Sequence, residues 1–351
     1  MKAILLAGGK GTRLRPLTVH TPKPIVPIFN RPFLHYQIDR LKQVPEIDEV
    51  ILSLNYQPRR IEDVFGDGSD VGIKIRYVVE PSPLGTGGAI RYAGESLTES
   101  VVVFNGDVLT QIDLAAVLRL HRERRAKATI VLTPVPNPTA YGLVETDADG
   151  NVKRFLEKPK ADEITVDTIN AGIYVLEPET FDRIPKDTAW SIERSYFPSL
   201  VERGETFVAY TYRGYWIDIG TPEKYTEVHR DIMDGRFQAP PFAGESSNVF
   251  IDAGARVDEG AVIEGPVFLD DGVVVKAGAR IGKYSVLGKQ CHVEEDAVVQ
   301  GSILWPNTRV GHEANVDGAI LGRHCHVGRG SVVGSGSVVG DKSALTDYSK
   351  V

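Results

Sequence analysis

A glycine-rich turn directly follows an apolar run near the start of the chain, in LLAGGKGTRLRPLT at positions 5–18. Its glycines would let the backbone come close to a phosphate, and they are Gly8, Gly9 and Gly11. Thr12 and Arg13 add a hydroxyl and a guanidinium. A Walker loop requires GxxxxGK before Ser or Thr, and the Rossmann fingerprint requires a third glycine where Leu14 stands, so both are absent. The segment therefore predicts a different phosphate-binding loop, or a simple glycine-rich turn with solvated cations.

A second candidate cation follows in Thr21-Pro22-Lys23-Pro24. Proline restricts its own backbone and that of the residue before it, so this stretch predicts an extended backbone around one lysine. Lys23 is therefore a candidate ligand for the same phosphates as Arg13.

Two aspartates stand where the loops of a sheet would lie. Asp107 ends VVVFNGD, and Asp218 lies in WIDIG. Magnesium prefers a few carboxylates together with phosphate oxygens, so two aspartates that meet at one phosphate would suit this ion. The alternative is that each aspartate caps a turn or a helix. Thr221 and Pro222 already predict a helix N-cap and first turn, so Asp218 is not needed there.

The elements that must position these residues alternate in type up to about residue 235. Short apolar runs rich in Val and Ile predict buried strands, namely KAILLA, EVILSLNY, KIRYVV, SVVVFNGD and ATIVLTPV. Between them, PFLHYQIDRLKQV and DLAAVLRLHRERRA have helical periodicity. This order predicts a mostly parallel sheet covered on both faces, with ligands beyond the carboxyl ends of its strands.

The pattern changes after the Pro- and Gly-rich stretch DGRFQAPPFAGESSN. Aliphatic residues then recur at every sixth position, as Ile251, Val257, Ile263, Leu269, Val275, Ile281, Leu287, Val293 and Val299. A hexapeptide repeat predicts a parallel β-helix in which each aliphatic residue stacks on the one a coil away. The period slips by one before Leu304 and again before Leu321, which predicts two bulging loops. The predicted organisation is a domain at 1–235, a linker at 236–248 and the β-helix at 249–351.

Composition excludes several classes of function. The chain has 351 residues, a formal net charge of −7 and a pI near 5.7, which argue against a nucleic-acid or membrane surface. Cys291 and Cys325 are too few for a disulfide framework and are expected to be buried fillers. No run is long enough for a signal peptide or a membrane span, so we expect a cytoplasmic protein.

Seven motifs occur in a fixed order along the chain: the GGxGTR loop with its TPKP lysine, EPSPLGTGGA, FNGD, YGLVE, EKP, INAGIYV and WIDIGTPE. In this order they resemble the sugar-nucleotide pyrophosphorylases, over nearly the whole chain. The segments SIERSYFP and GYWIDIGTP are most similar to those of the mannose-1-phosphate guanylyltransferases. The resemblance implies a Rossmann-like α/β nucleotidyltransferase domain with a mixed, mostly parallel sheet, followed by a left-handed parallel β-helix.

The resemblance also implies a reaction and its residues. GTP and mannose 1-phosphate would be the substrates, Mg²⁺ the cofactor, and the sugar phosphate would attack the α-phosphorus in line without a covalent enzyme intermediate. The implied catalytic residues are Arg13, Lys23, Asp107, Lys158 and Asp218, of which the two aspartates hold the metal. The implied nucleotide contacts are Leu6, Ala7, Gly8, Gly9, Gly11, Thr12, Arg13, Lys23, Glu80 and Gly85. The implied sugar-phosphate contacts are Gly142, Glu157, Lys158, Asn170 and Glu193.

Two of these assignments have structural alternatives. An exposed pair such as Glu157-Lys158 is usually surface decoration, so its role rests on the resemblance. Ser191 could start a helix in which Glu193 is an acidic residue of the first turn.

Glu80 bears on the identity of the base. Related uridylyl and thymidylyl enzymes usually carry Gln at the matching position. Guanine presents two adjacent donors, and a carboxylate accepts from both, whereas an amide would turn its own donor toward one of them. Glu80 therefore favours guanine, unless it only caps a loop.

Other functions stay open at this point. The closest alternative is a glucose-1-phosphate thymidylyltransferase or uridylyltransferase, and a different class is a regulatory subunit that binds sugar nucleotides without catalysis. Because the candidate catalytic residues are all retained, we expect an enzyme. The β-helix could also transfer acyl groups through one of His292, His312, His324 and His326. We instead expect it to support packing and a homo-oligomer, with metal binding at His324-Cys325-His326 disfavoured.

Overall fold

The structure is a computed structural model that describes residues 1–244 and 248–351. Part of the predicted linker, residues 245–247, lies outside the described residues. The α-helices are α1 (Phe33–Leu41), α2 (Pro58–Phe65), α3 (Gly85–Ala93), α4 (Leu114–Glu123), α5 (Phe197–Glu202) and α6 (Pro222–Met233). The strands up to residue 218 are β1 (Lys2–Leu6), β2 (Pro27–Ile28), β3 (Arg31–Pro32), β4 (Glu49–Leu54), β5 (Lys74–Val79), β6 (Val101–Asn105), β7 (Val108–Thr110), β8 (Ala128–Pro134), β9 (Gly142–Thr146), β10 (Val152–Glu157), β11 (Thr168–Leu176), β12 (Phe207–Thr211) and β13 (Trp216–Asp218).

Internal contacts divide the chain into two compact units. The first unit comprises Met1–Lys10 and Leu34–Asp218, and the second comprises Gly11–Phe33 and Ile219–Val351. The segment Gly11–Phe33 thus groups with the C-terminal part of the chain rather than with the strands that flank it. Nothing in the sequence pattern indicates this grouping.

The first unit is built on one mixed sheet, as predicted. The strand order is β10-β9-β11-β6-β1-β4-β5, with β8 beside β11 and β12 beside β8. Strands β6, β1, β4 and β5 run parallel to one another, whereas β11 is antiparallel to both β6 and β8. All five strands predicted from apolar runs are present, and most residues of four of them are buried. The fifth, β5, forms the edge of the sheet, and Ile75 is its one buried residue.

Both predicted helices of this region are present as α1 and α4. Helix α4 begins after Asp113, whose side chain accepts a hydrogen bond from the Ala116 N–H at 3.1 Å. Buried apolar residues of the strands pack with those of α3, α5 and the turn before α5, in a core that includes Ile4, Ile90, Val103, Ile130, Tyr174 and Phe197. This core fixes the strand ends from which the loops emerge.

The second unit contains a parallel β-helix with three sheets, as the hexapeptide repeat predicts. The first sheet consists of β14 (Val249–Ile251), β17 (Val267–Leu269), β20 (Ser285–Leu287), β23 (Ile303–Leu304), β26 (Ile320–Leu321) and β29 (Val338–Val339). The second consists of β15 (Arg256–Val257), β18 (Val274–Val275), β21 (His292–Val293), β24 (Arg309–Val310), β27 (His326–Val327) and β30 (Ala344–Leu345). The third consists of β16 (Val262–Ile263), β19 (Arg280–Ile281), β22 (Val298–Gln300), β25 (Asn315–Asp317) and β28 (Val332–Val333).

The two slips in the repeat are short corners, so the prediction of bulging loops is wrong. Ile251 pairs with Leu269, 18 positions on, whereas Leu287 pairs with Leu304, 17 positions on. One residue is missing from the corner at Gly301, and another from the corner at Gly318. Both glycines have the left-handed backbone that closes so tight a turn, with φ of 55° and 61°. The spacing of five between Val299 and Leu304, and again between Val316 and Leu321, corresponds to this missing residue.

Besides the β-helix and α6, the second unit contains the segment Gly11–Phe33. It forms three 3₁₀ turns, at Thr12–Leu14, Leu17–Val19 and Lys23–Ile25, and then the short hairpin β2–β3. Within the described residues, no helix combines the length and the hydropathy that crossing a bilayer requires.

Candidate active site

Several predicted ligand-binding residues of the first unit lie at one edge of the sheet. Because β1, β4, β5 and β6 are parallel, their carboxyl ends bring the turns after them together. Backbone hydrogen bonds continue beyond the strand ends, from Ala7 N to the Ser53 carbonyl at 2.9 Å and from Gly106 N to the Leu6 carbonyl at 3.0 Å. The Glu80 N–H likewise donates to the Leu54 carbonyl at 2.8 Å. The glycine turn, Glu80 and the loop of Asp107 are therefore neighbours.

The two glycines of the turn in the first unit have different surroundings. A Cβ on Gly8 would lie 3.1 Å from the Asn55 nitrogen and 3.2 Å from Glu80 Oε1, so packing leaves little room for a side chain there. A Cβ on Gly9 would meet no atom within 4 Å, and the residue is exposed. Packing therefore does not explain the glycine at position 9, whereas close approach of a ligand would.

Asp107 and Asp218 are brought together by a two-stranded ribbon. Strands β7 and β13 are antiparallel, and Asp218 is paired with Val108, the residue after Asp107. Asp218 is 9% exposed, and its Oδ1 accepts a hydrogen bond from the Tyr141 hydroxyl at 2.9 Å. Asp107 lies in the turn between β6 and β7, and no helix begins there.

This pair of carboxylates fits a hard divalent cation that also binds phosphate oxygens. Within residues 1–244 and 248–351, no group of three or more His, Cys, Asp and Glu side chains is arranged for a metal. A cation at the aspartate pair would therefore need substrate or water oxygens to complete its coordination. Thr221, not Asp218, is the N-cap of α6, because its side chain accepts a hydrogen bond from Lys224 N at 3.4 Å.

Gly142, Glu157 and Asn170 also lie in the first unit. Gly142 and Glu157 face each other across the β9–β10 pair, and a Cβ on Gly142 would lie 3.0 Å from Glu157 Oε2. Asn170 lies at an irregularity of β11, where its Oδ1 accepts from Gly172 N and its Nδ2 donates to the Tyr174 hydroxyl, both at 2.8 Å. These bonds fix the orientation of the Asn170 amide.

Glu193 acts on the pKa of Glu157. Burial raises the pKa of Glu157, and the nearby Glu193 raises it further, against the opposing effect of Lys158 and Arg194. Glu193 Oε2 accepts from the Thr86 hydroxyl at 2.7 Å and from the Ser191 hydroxyl at 2.8 Å. Ser191 is an N-cap, so Glu193 occupies the first turn of a helical segment, as the structural alternative predicts.

Lys158 is exposed, and its backbone has a φ of 53°. Its N–H donates to the Tyr141 carbonyl at 2.9 Å. This left-handed conformation costs a residue with a side chain roughly 1–2 kcal/mol, so the turn after β10 holds Lys158 against its preference. Gly85 begins α3, and a Cβ there would lie 2.8 Å from the Trp190 carbonyl oxygen.

Glu80 is buried, and both of its carboxylate oxygens accept hydrogen bonds from the chain. The Ser53 hydroxyl donates to Oε1 at 3.1 Å, and the Leu84 N–H donates to Oε2 at 3.0 Å. The predicted alternative of a loop cap is thus present in the structure. Each carboxylate oxygen can accept a second bond, so the cap does not use up the acceptors of Glu80.

In the second unit, Gly11 and Lys23 lie next to each other. Gly11 has a φ of 60°, and a Cβ on it would lie 3.2 Å from the Lys23 Cβ. The Thr18 hydroxyl donates to the Gly11 carbonyl at 2.7 Å, which fixes the turn that presents Thr12 and Arg13 to solvent.

The predicted extended backbone around Lys23 is wrong. Lys23 starts a 3₁₀ turn in which Ile25 N donates to the Pro22 carbonyl at 2.9 Å and Val26 N to the Lys23 carbonyl at 3.1 Å. These two hydrogen bonds outweigh the preference of a residue before proline for extended backbone. The turn buries Lys23 to 9% exposure.

The remaining predictions for the β-helix concern its cysteines and histidines. Cys291 and Cys325 are free and buried, and burial raises the pKa of Cys291 to about 12. They are fillers, as predicted. His324 and His326 are both exposed, on the side opposite the buried Cys325, and they belong to no metal-binding group in the described part of the chain.

Sequence reasoning missed Tyr141 and Trp216. Their rings meet edge to face at 5.7 Å, and the Trp216 indole N–H donates to the Ala171 carbonyl at 2.9 Å. Together they connect the start of β9, β11 and Asp218. Both stand inside motifs that the sequence analysis quotes, YGLVE and WIDIGTPE, but an aromatic residue there is equally compatible with simple packing.

Comparison with known proteins gives a consistent result. The family model for nucleotidyl transferases matches residues 2–235, and the model for the EIF2B subunit epsilon LbH domain matches residues 246–351. The mannose-1-phosphate guanylyltransferase of Mycobacterium tuberculosis is 43% identical over 80% of this chain and 76% of its own length. The UTP–glucose-1-phosphate uridylyltransferase of Synechocystis is 33% identical over 93% of this chain and 88% of its own.

Among solved structures, HddC from Yersinia pseudotuberculosis complexed with GMP-PN has a TM-score of 0.56 and 30% identity. The match covers 66% of this chain and 99% of HddC. The family model covers the glycine turn, both aspartates and the strands that carry them. The chain therefore belongs to the nucleotidyl transferase family and is a nucleotidyltransferase with a C-terminal parallel β-helix.

Proposed function

We propose that the protein transfers GMP from GTP to mannose 1-phosphate and forms GDP-mannose and pyrophosphate. The observation that carries this proposal is the 43% identity to a mannose-1-phosphate guanylyltransferase, over 80% of the chain. The solved relative HddC, which was crystallised with the guanine nucleotide analogue GMP-PN, supports the choice of base. The uridylyltransferase of Synechocystis has a lower identity and supports a glucose-1-phosphate uridylyltransferase less well.

In this proposal the sugar phosphate attacks the α-phosphorus of GTP in line with the departing pyrophosphate. Such a step asks the protein for positioning and charge neutralisation rather than for a covalent intermediate. Enzymes of this family generally use a divalent metal, and we assign Mg²⁺ to Asp107 and Asp218. When bound, the cation supplies positive charge to the phosphate oxygens at the reacting phosphorus.

The other candidate residues bind the triphosphate, the sugar phosphate or the sugar. Arg13 and Lys23 bind the triphosphate and stabilise charge that develops on pyrophosphate. The turn from Leu6 through Gly9, with Gly11 and Thr12, approaches the phosphates, and Gly85 borders the nucleotide. Lys158 binds the sugar phosphate. Glu157, Asn170, the Gly142 backbone and Glu193 bind the sugar.

Glu80 reads the base in this proposal. Guanine offers two adjacent donors, and the Glu80 oxygens keep one acceptor position each beside the bonds from Ser53 and Leu84. We expect Glu80→Gln to lower kcat/KM for GTP about tenfold to a hundredfold, and that for UTP or dTTP far less, because an amide turns a donor toward one donor of guanine.

The structure supplies the control for that variant. In Glu80→Gln the amide oxygen can accept from Leu84 and the amide nitrogen can donate to Ser53, so the loop cap survives. Ser53→Ala removes the cap on Oε1 but keeps the carboxylate, and it should change activity with all triphosphates alike. A ratio of GTP to UTP use that is the same in Glu80→Gln and the natural chain would contradict base reading by Glu80.

A substitution at Gly9 tests the phosphate turn without disturbing the fold. A Cβ at this position would meet open space, so Gly9→Ala should leave the thermal unfolding midpoint unchanged. The same methyl group would stand where the phosphates approach, and we expect kcat/KM for the triphosphate to fall about tenfold to a hundredfold. Steady-state kinetics and thermal unfolding measure the two effects. An unchanged kcat/KM for the triphosphate would show that Gly9 is not part of the nucleotide site.

The assay for the proposed function follows pyrophosphate release from each triphosphate with each sugar 1-phosphate, in the presence of Mg²⁺ or another divalent metal. The highest kcat/KM is expected with GTP and mannose 1-phosphate. A higher value with UTP or dTTP and glucose 1-phosphate would favour the alternative enzyme. Saturable binding of sugar nucleotides without turnover would favour a regulatory subunit.

We further propose that the protein acts in the cytoplasm and forms a homo-oligomer through its β-helix. The two free cysteines support a reducing compartment. The parallel coils offer an extended regular surface for self-association. Light scattering of the purified chain tests the oligomer.

A further inference from the structure

We infer that Trp305 of the β-helix and Tyr225 of α6 are positioning residues for Lys23, acting through hydrogen bonds to the segment Gly11–Phe33. Lys23 lies four residues before Pro27, which accepts the last of these bonds. The inference rests on the proposed role of Lys23 at the triphosphate. Trp305, Tyr225 and Lys23 all belong to the second unit.

The donor and acceptor roles of these hydrogen bonds are fixed. The Trp305 indole N–H donates to the Tyr225 hydroxyl at 3.0 Å, and the Tyr225 hydroxyl donates to the Pro27 carbonyl. An indole nitrogen can only donate, and a carbonyl oxygen can only accept, so the Tyr225 hydroxyl has to join them in this sense. Trp305 is 1% exposed and Tyr225 is 0% exposed. Since a buried donor without a partner is costly, each bond favours the others.

The same tyrosine also holds the hairpin that follows Pro27. His229 Nδ1 lies 2.8 Å from the Tyr225 carbonyl oxygen, and the Phe29 N–H donates to His229 Nε2 at 3.2 Å. A neutral ring with its proton on Nδ1 satisfies both bonds, and burial lowers the pKa of His229 to about 4. Phe29 itself has a φ of 54°, a left-handed backbone that this bond holds in place.

Coils of the β-helix contact the segment at both ends. The Phe29 ring lies 5.1 Å from that of Phe268, which belongs to β17. At the other end, a Cβ on Gly340 would lie 3.1 Å from the Pro16 Cβ, three residues from Arg13. The segment that carries both proposed phosphate cations is therefore supported by the β-helix at Pro16 and Phe29, and by α6 at Pro27 and Phe29.

Little freedom remains between these contacts and Lys23. Only Val26 separates the 3₁₀ turn Lys23–Ile25 from the start of β2 at Pro27. Two prolines and two turn hydrogen bonds lie within residues 22–26. A displacement of Pro27 would therefore move the Lys23 backbone with it. The β-helix then contributes to triphosphate binding without touching the substrate.

The test uses the full chain with Tyr225→Phe as the main variant, because it removes a single oxygen atom. The KM for GTP should rise about threefold to tenfold and kcat should fall, while the KM for mannose 1-phosphate changes little. Trp305→Phe should also raise the KM for GTP, but by a smaller factor. The double variant should raise the KM for GTP no more than Tyr225→Phe alone does, because both substitutions interrupt the same series of hydrogen bonds.

Tyr284→Phe is the matched control. The Tyr284 hydroxyl also joins the β-helix to α6, since it donates to Asp234 Oδ1 at 3.0 Å, but Asp234 follows α6 at the end away from Tyr225. This control should keep both KM values. Thermal unfolding of all variants, measured alongside, shows whether the kinetic change exceeds any loss of stability.

The inference would be overturned by an unchanged KM for GTP in Tyr225→Phe, by an equal rise for both substrates, or by an equal effect in Tyr284→Phe. If Trp305→Phe fails to fold, Tyr225→Phe decides alone. If the natural chain prefers another triphosphate, the proposed function is wrong in its base, and the same comparison is made with the preferred nucleotide. If the chain shows no turnover at all, the affinity for GMP-PN replaces KM.

Discussion

Asp218→Asn is expected to reduce kcat about 100- to 1,000-fold, the range seen when a single charge-stabilising group is removed from an active site. Asparagine keeps the volume of the side chain, and its amide oxygen can still accept the hydrogen bond from Tyr141. The fold at β13 should therefore survive, while the charge that balances the metal is lost. Asp107→Asn should act in the same way, because Asp107 adjoins the residue paired with Asp218.

Steady-state kinetics at increasing Mg²⁺ concentration provide the measurement. Both variants should need more metal for half-maximal activity, and the double variant should be much less than additive, since the two carboxylates act on one ion. Asp149→Asn is the control, because Asp149 is exposed in the turn between β9 and β10. A kcat within about threefold of the natural chain in either variant would remove that aspartate from the metal site.

Lys23→Met is the second substitution with a large expected effect. Methionine retains much of the aliphatic stem, so the 3₁₀ turn and its packing against Gly11 should persist while the positive charge is lost. We expect kcat/KM for GTP to fall about 100-fold, because a fixed cation no longer stabilises charge on the departing pyrophosphate. In the reverse direction, the KM for pyrophosphate should rise.

Lys23→Arg is informative as well, because a planar guanidinium does not replace a compact ammonium in a buried position. We expect it to recover only part of the lost activity. Lys283→Met serves as the control, since Lys283 is an exposed lysine of the β-helix. If the KM for pyrophosphate is the same in Lys23→Met as in the natural chain, Lys23 has a structural role only.

The regular features of this chain were predictable because they repeat. Apolar runs predicted the strands that precede Gly8, Glu80 and Asp107, and the sixfold spacing of aliphatic residues predicted the β-helix. The two slips were mispredicted, because a spacing of five between Val299 and Leu304 means one residue fewer, which shortens a corner instead of extending a loop. The antiparallel orientation of β11 could not be predicted either, since its INAGIYV run has no feature that indicates strand direction.

The site was predictable in its residue types but not in its supporting contacts. Asp107 and Asp218 could be paired by chemistry, yet the Tyr141 hydroxyl that holds Asp218 depends on a contact 77 positions apart in sequence. The backbone of Lys23 was mispredicted because a proline rule describes one residue, whereas two turn hydrogen bonds decided the conformation. Glu80 caps a loop and is also a candidate for reading the base, whereas these two roles were predicted as alternatives.

The hydrogen bond between Tyr225 and Pro27 also bears on how the chain is made. These residues are 198 positions apart, so at about 5–20 residues per second a ribosome adds Tyr225 roughly 10–40 s after Pro27. Until then the hairpin with Phe29 has neither α6 nor the β-helix to pack against. An unfinished chain would expose this apolar hairpin, and an incomplete product would lack the support for its lysine. On the proposed role of Lys23, the chain therefore gains this support for triphosphate binding only after α6 and the β-helix have been made.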